Sequence, residues 1–106
     1  MNYIEVIPAK QSVSRGESLN ILGGVANDDE AVTLDISVWG RVDREWEALA
    51  TQRTELAAHE HRHLYFTLEP DCFSSGRWHE EIEEIELLIR DKKPDATDRG
   101  RIVFIE

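Results

Sequence analysis

Three imidazoles stand at alternate positions, His59, His61 and His63. In an extended strand that spacing turns all three to one face, which an imidazole metal site can require. Strand geometry sets same-face neighbours about 7 Å apart, too wide to converge on one ion without twist or ligands from elsewhere. The row therefore reads as an exposed face with no assigned metal. Cys72 lies beside Asp71 and near Glu69, whose charges raise a thiol pKa and disfavour a thiolate nucleophile; it reads as a small buried hydrophobe. No serine sits in a Gly-x-Ser-x-Gly elbow, and Gly23-Gly24 is not a phosphate loop. The acids from Glu80 to Glu86 are too numerous to single out a general acid and base, so they read as a solvated face. No catalytic, cofactor-binding or metal residue is assigned, and the chain reads as a non-enzyme.

The elements that would carry these residues are strands. Tyr3 to Pro8 is a short edge strand stopped by proline. Ser14 to Glu17 turns the chain, and Leu19, Ile21, Gly23 and Val25 alternate with Asn20, Leu22, Gly24 and Ala26 as a second strand. Gly23-Gly24 marks a bulge or a close backbone approach there. Asn27 to Glu30 is a loop, and Val32, Leu34, Ile36 and Val38 alternate with Thr33, Asp35, Ser37 and Trp39 in the clearest strand of the sequence. From Trp46 a weaker strand competes with a helix, because Trp46, Leu49, Arg53 and Leu56 also fall at helical spacing. His61 to Leu68 alternates again, and Glu69 to Gly76 is a compact loop. Trp78 to Ile89 fits a helix by its isoleucine spacing, or a strand with a bulge near Glu83-Glu84; the strand is preferred. After a polar loop from Asp91 to Gly100 containing Pro94, Arg101 to Ile105 closes the chain.

About seven short strands joined by turns define one domain over residues 1–106, an all-β antiparallel two-sheet immunoglobulin-like sandwich. A helix over 78–89 would make it α+β instead. If the strands alternate up and down, the loops at one pole gather Asn27, Asp28, Asp29, Glu30, His59, Asp91, Asp95 and Asp98. Clustered carboxylates suit a hard cation, but no periodic ligand run supports one, and the acids Asp28, Asp29, Asp95 and Asp98 read as solvated.

Gly16-Glu17-Ser18-Leu19-Asn20-Ile21, then Val25-Ala26-Asn27, then Val32 to Val38, resembles bacterial immunoglobulin-like domains of the cell-adhesion-related, CARDB-like type. There a Gly-Glu pair opens the second strand and an Asn ends it. Leu56, Phe66, Leu68, Gly76 and Trp78 follow the pattern more loosely, and the stretch from Gly76 to Asp91 is longer and more acidic than the family's. The resemblance implies a non-catalytic module, usually placed outside the cytoplasm in tandem arrays. Residues 78–105 also resemble jelly-roll carbohydrate-binding modules, which are sandwiches too.

The 106 residues carry 12 Lys+Arg against 22 Asp+Glu, a formal net charge of −10. That balance disfavours nucleic acid and anionic membrane surfaces, which need clustered cations. No apolar run approaches the roughly 20 residues of a membrane-spanning helix. A single cysteine excludes an internal disulfide framework and a Cys-x-x-Cys zinc site. The start, Met1 to Glu5, has no leader pattern, which leaves a cytoplasmic protein or a domain cut from a longer one. The expected partner is a protein, or a second copy paired through the edge strands at Tyr3 to Pro8 or at Trp46 onward. The alternative is a glycan. Two exposed aromatics on one sheet face, from residues such as Trp39 and Tyr65, would favour sugar, whereas an apolar patch with an unpaired edge would favour protein. Trp39 itself reads more readily as packed with Trp46 beneath their shared turn.

Overall fold

The computed structural model describes residues 12–73 and 82–106 in full and the backbone of residues 2–8. Every regular element among them is a strand: β1 (Asn2–Pro8), β2 (Ser12–Val13), β3 (Leu19–Ala26), β4 (Val32–Arg41), β5 (Trp46–Leu56), β6 (His61–Leu68), β7 (Glu84–Arg90) and β8 (Arg101–Ile105). They form a three-stranded sheet, β1-β3-β6, and a five-stranded sheet, β2-β8-β7-β4-β5. All pairings are antiparallel except β2 with β8, in which Ser12 lies beside Phe104 and Val13 beside Ile105. The result is an immunoglobulin-like β-sandwich whose fifth strand joins the larger sheet.

Period-two alternation builds the core, because only one side of each pleat faces the opposing sheet. Leu19, Ile21 and Val25 of β3 meet Ile36 and Val38 of β4 and Ile85, Leu87 and Ile89 of β7, each at most 2% exposed. Full burial of such a side chain stabilises by roughly 1.5–3 kcal/mol. Gly23 falls on the same inner face, and a Cβ there would sit 2.4 Å from Ile89 Cδ1. The glycine pair thus marks a close approach between sheets, while the register shift lies in β1, between Tyr3 and Glu5 opposite Val25 and Gly24.

Both ambiguous segments resolve as strands where described. Trp46–Leu56 runs eleven residues along β4, with one register shift between Val38 and Trp39. A ladder on β4 outweighs the helix propensity of its Ala, Glu and Leu residues. Glu84–Arg90 pairs with β8 over Glu84–Leu87 and with β4 over Glu86–Arg90 without a register shift, which excludes a helix through Ile89; just before it, Ile82 and Ile85 are both buried with Glu83 and Glu84 exposed between them. The expected earlier start of that strand, at Trp78, lies outside the described residues.

The poles differ from the up-and-down expectation. The β3–β4 loop meets the β5–β6 turn at the Val32 end of β4: the Asn27 amide donates to Glu60 O at 2.9 Å, and the His59 amide to Asp29 O at 3.3 Å. The β7–β8 loop instead folds back over the outer face of the larger sheet toward Arg41, at the other end of β4, about 30 Å away by strand rise. Asp95 and Asp98 are therefore separated from Asp28 and Asp29, and no common acidic pole forms.

Candidate functional site

The outer face of the five-stranded sheet divides into two halves. Side chains alternating out of the core form cross-strand rows there: Ser37 with Arg90, Trp39 with Leu88, Arg41 with Glu86 and Ile102, and Glu84 with Phe104. The β7–β8 loop is a strap across the first half. Trp39 Nε1 donates to Arg90 O at 3.2 Å and Trp46 Nε1 to Asp95 O at 2.9 Å. Leu88 is only 7% exposed although it points away from the main core, and Pro94 is buried.

Arg41 and Glu86 pin the strap. Arg41 donates Nε and Nη2 to Glu86 Oε1 at 3.0 and 2.7 Å, Nη1 to Ala96 O at 2.7 Å, and Nη2 also to Asp98 O at 2.9 Å. Its guanidinium carbon stands 4.3 Å from the centre of the Trp46 ring. Glu86 Oε2 accepts from the Gly100 amide at 2.7 Å. Burial alone would raise the Glu86 pKa, but the Gly100 N–H and the Arg41 and Arg99 charges overcome it and hold the carboxyl below its usual range. Glu86 thus departs from the solvated acid face expected of residues 80–86. Glu83 and Glu84 are exposed as expected, and Glu80 and Glu81 lie outside the described residues.

The second half is bare. Beyond the strap, Val42 is 38% exposed, Ile102 41% and Phe104 53%. A groove of about 570 Å³ runs between the 42–44 turn and the 96–100 end of the strap, floored by Glu84, Glu86 and Ile102 and flanked by Arg44 and Arg99. Residue type alone carried one signal for this patch: Arg-Ile-Val-Phe-Ile is apolar on both faces, while Val103 and Ile105 already fill the inner one.

The residues singled out from sequence lie elsewhere. His61 and His63 stand exposed on β6, while His59 precedes that strand in a turn at φ 58°, so the alternating row is broken. Asn27 is fully buried and is a structural pin: its Nδ2 donates to Glu30 O and Ala57 O, both at 3.0 Å, and its Oδ1 accepts from the Asp29 amide at 3.0 Å. Glu60 accepts from the Ala57 amide at 2.8 Å and from Arg62, and those bonds lower its pKa. Asp28, Asp29 and Glu30 are exposed. Among the described residues no three His, Cys, Asp or Glu side chains are grouped so as to hold a metal ion. Cys72 is half-buried, and burial, reinforced by Asp71, Glu47 and Glu69, pushes its thiol up to about 12. Tyr65 is 72% exposed on the outer face of the smaller sheet, across the sandwich from Phe104. Each outer face therefore carries one exposed aromatic among the described residues, and none shows two.

No protein-family model and no curated protein matches this chain. Solved structures do. A β-glucosidase from Erythrobacter marinus aligns over 99% of this chain and 15% of its own, with 18% identity and a TM-score of 0.79. A β-glucosidase involved in saponin metabolism from intestinal bacteria covers 99% of this chain and 16% of its own, at 17% identity and a TM-score of 0.74. A β-glucosidase from Listeria innocua covers 96% and 16%, at 19% identity and a TM-score of 0.67. At such identities the likeness is one of fold. The chain spans about one sixth of the length of these glucosidase chains.

Proposed function

We propose that this domain is a non-catalytic module that docks onto protein through the bare half of the outer face of its larger sheet. The observation that carries the reading is the exposure of Val42, Ile102 and Phe104 together beside the groove. Apolar side chains at the centre of a polar rim have the composition of an interaction patch. The solved structures support a modular role, since in each the same fold is a small part of a longer chain. The short motifs shared with CARDB-like domains are consistent with the same class. A glycan-binding reading has one observation in its favour, the exposed ring of Tyr65, and lacks a second aromatic beside it among the described residues.

The experiment immobilises the wild-type domain, Phe104→Asp and Tyr65→Ala in parallel. Each is offered an extract of the source cells and a glycan array, and assayed on an aryl β-glucoside. The expected result is protein retained by wild type and Tyr65→Ala but lost with Phe104→Asp, a blank array and no hydrolysis. Glycan binding abolished by Tyr65→Ala, or glucosidase turnover, would overturn the proposal.

A further inference from the structure

Building on that docking face, we infer that its occupant is a second copy of this chain, seated face to face about a two-fold axis. The argument is one of charge. The molecule carries −10 overall, so two copies repel wherever ordinary surface meets ordinary surface. The lining of the groove does not share that excess. Arg41 and Glu86 neutralise each other at its head, and Arg44 and Arg99 on its flanks are matched in number by Asp43 and Glu84 of its lining. The charges that line it cancel around Val42 and Ile102, and exposed Phe104 stands next to it, opposite Glu84 in the β7–β8 register.

A two-fold contact presents one patch to itself, so each residue i that meets j is repeated as j meeting i. A patch holding equal numbers of both signs around an apolar centre suits that operation, whereas a patch of one sign would repel itself. Arg99 lies on the strap side of the groove and Glu84 at the start of β7; a two-fold axis set across the line between them, the orientation inferred here, brings the arginine of each copy toward the glutamate of the other. This contact differs from pairing of the β1 or β5 edges, because it uses side chains of a face and leaves every backbone edge as it is.

Static light scattering and sedimentation equilibrium on the wild-type domain, up to about 1 mM protein, are expected to show a dimer. Phe104→Asp is expected to weaken it by about thirtyfold or more. Phe104 is exposed, so the variant should keep its fold; Ile102→Glu at the same patch serves as a second readout. Arg99→Glu alone and Glu84→Arg alone are each expected to be monomeric, since like charges then meet. An equimolar mixture of the two is expected to restore the dimer as a heterodimer, with the introduced glutamate of one copy against the introduced arginine of the other. A wild-type domain that stays monomeric overturns the inference. So does a dimer that persists in Phe104→Asp, which would point to a strand edge, or a mixture that fails to associate. If the wild type is monomeric while its capture of another protein still depends on Phe104, the second-copy assignment falls and the docking face stands.

Discussion

Two halves of one sheet surface take opposite routes to the same problem. Around Trp39, Arg41, Trp46 and Leu88, outward side chains are covered by the chain's own β7–β8 loop, which offers Asp95 O, Ala96 O and Asp98 O to indole and guanidinium donors. A few residues away on β8, Ile102 and Phe104 point out of the same sheet and are left open. The strapped half shows what covering such a face requires: each buried donor finds an acceptor, and Arg41 is buried with both a carboxylate and an aromatic ring beside it. The bare half has few buried polar groups to satisfy, and its needs are those of apolar surface in water. The first half is closed by the chain's own loop, and the second is the surface proposed above for a partner.

That contrast can be broken most sharply at the Arg41–Glu86 pair. Arg41→Ala leaves a buried carboxylate and several strap carbonyls without their cation, and is expected to cost about 3 kcal/mol or more in urea unfolding. Replacing both partners, as Arg41→Met with Glu86→Leu, is expected to recover part of that loss by removing the stranded charge, although the strap carbonyls still lose their donor. Next comes Gly100→Ala, whose Cβ would lie 2.1 Å from Leu87 O. The strap must shift away from β7, at an expected cost of about 1–3 kcal/mol, with a change in tryptophan fluorescence as Trp39 and Trp46 rehydrate.

Acid acts on the same clamp. A carboxylate whose folded pKa is depressed contributes stability that is fully present above its unfolded value, near 4.3, and is lost as pH falls through the lower folded value. Thermal midpoints are therefore expected to drop as pH falls below about 4, and Glu86→Gln should flatten that part of the profile. The smallest effect belongs to the bare half, where Phe104→Asp is expected to change monomer stability by no more than about 0.5 kcal/mol. A larger loss would mean that Phe104 serves the fold.

Most of the sandwich was legible from period alone. Leu19–Ala26, His61–Leu68 and Arg101–Ile105 occupy the expected residues, because alternating burial leaves a direct trace in residue type. The strap was not legible as more than a polar loop. Its partners are carbonyls, which every residue carries, so Asp95, Ala96 and Asp98 look like any solvated connection. What could have been noticed was the company on the supposedly wet side of the strands: Trp39, Arg41, Trp46 and Leu88 together are too apolar for open solvent. The candidate docking patch left a fainter trace, in a closing strand that is apolar on both faces. The histidine alternation counts positions and not backbone: His61 and His63 share the exposed face of β6, whereas His59 sits in the turn before it.

The parallel pairing of β2 with β8 gives the domain a mechanical character. Beyond the ladder at Ser12 and Val13, the Glu106 amide donates to Val13 O at 2.9 Å and the Arg15 amide to Glu106 O at 3.1 Å. Tension that reaches Ser12 from the amino-terminal side, with the opposing pull at Glu106, acts along the two strands in opposite directions. Parallel strands loaded in this way slide past each other, so their bonds share the force together, where an antiparallel pair pulled apart from one end would open one bond at a time. The zipper between the beginning and the end of the sandwich is thus a shear latch, and the five-stranded sheet stays closed under load until it yields.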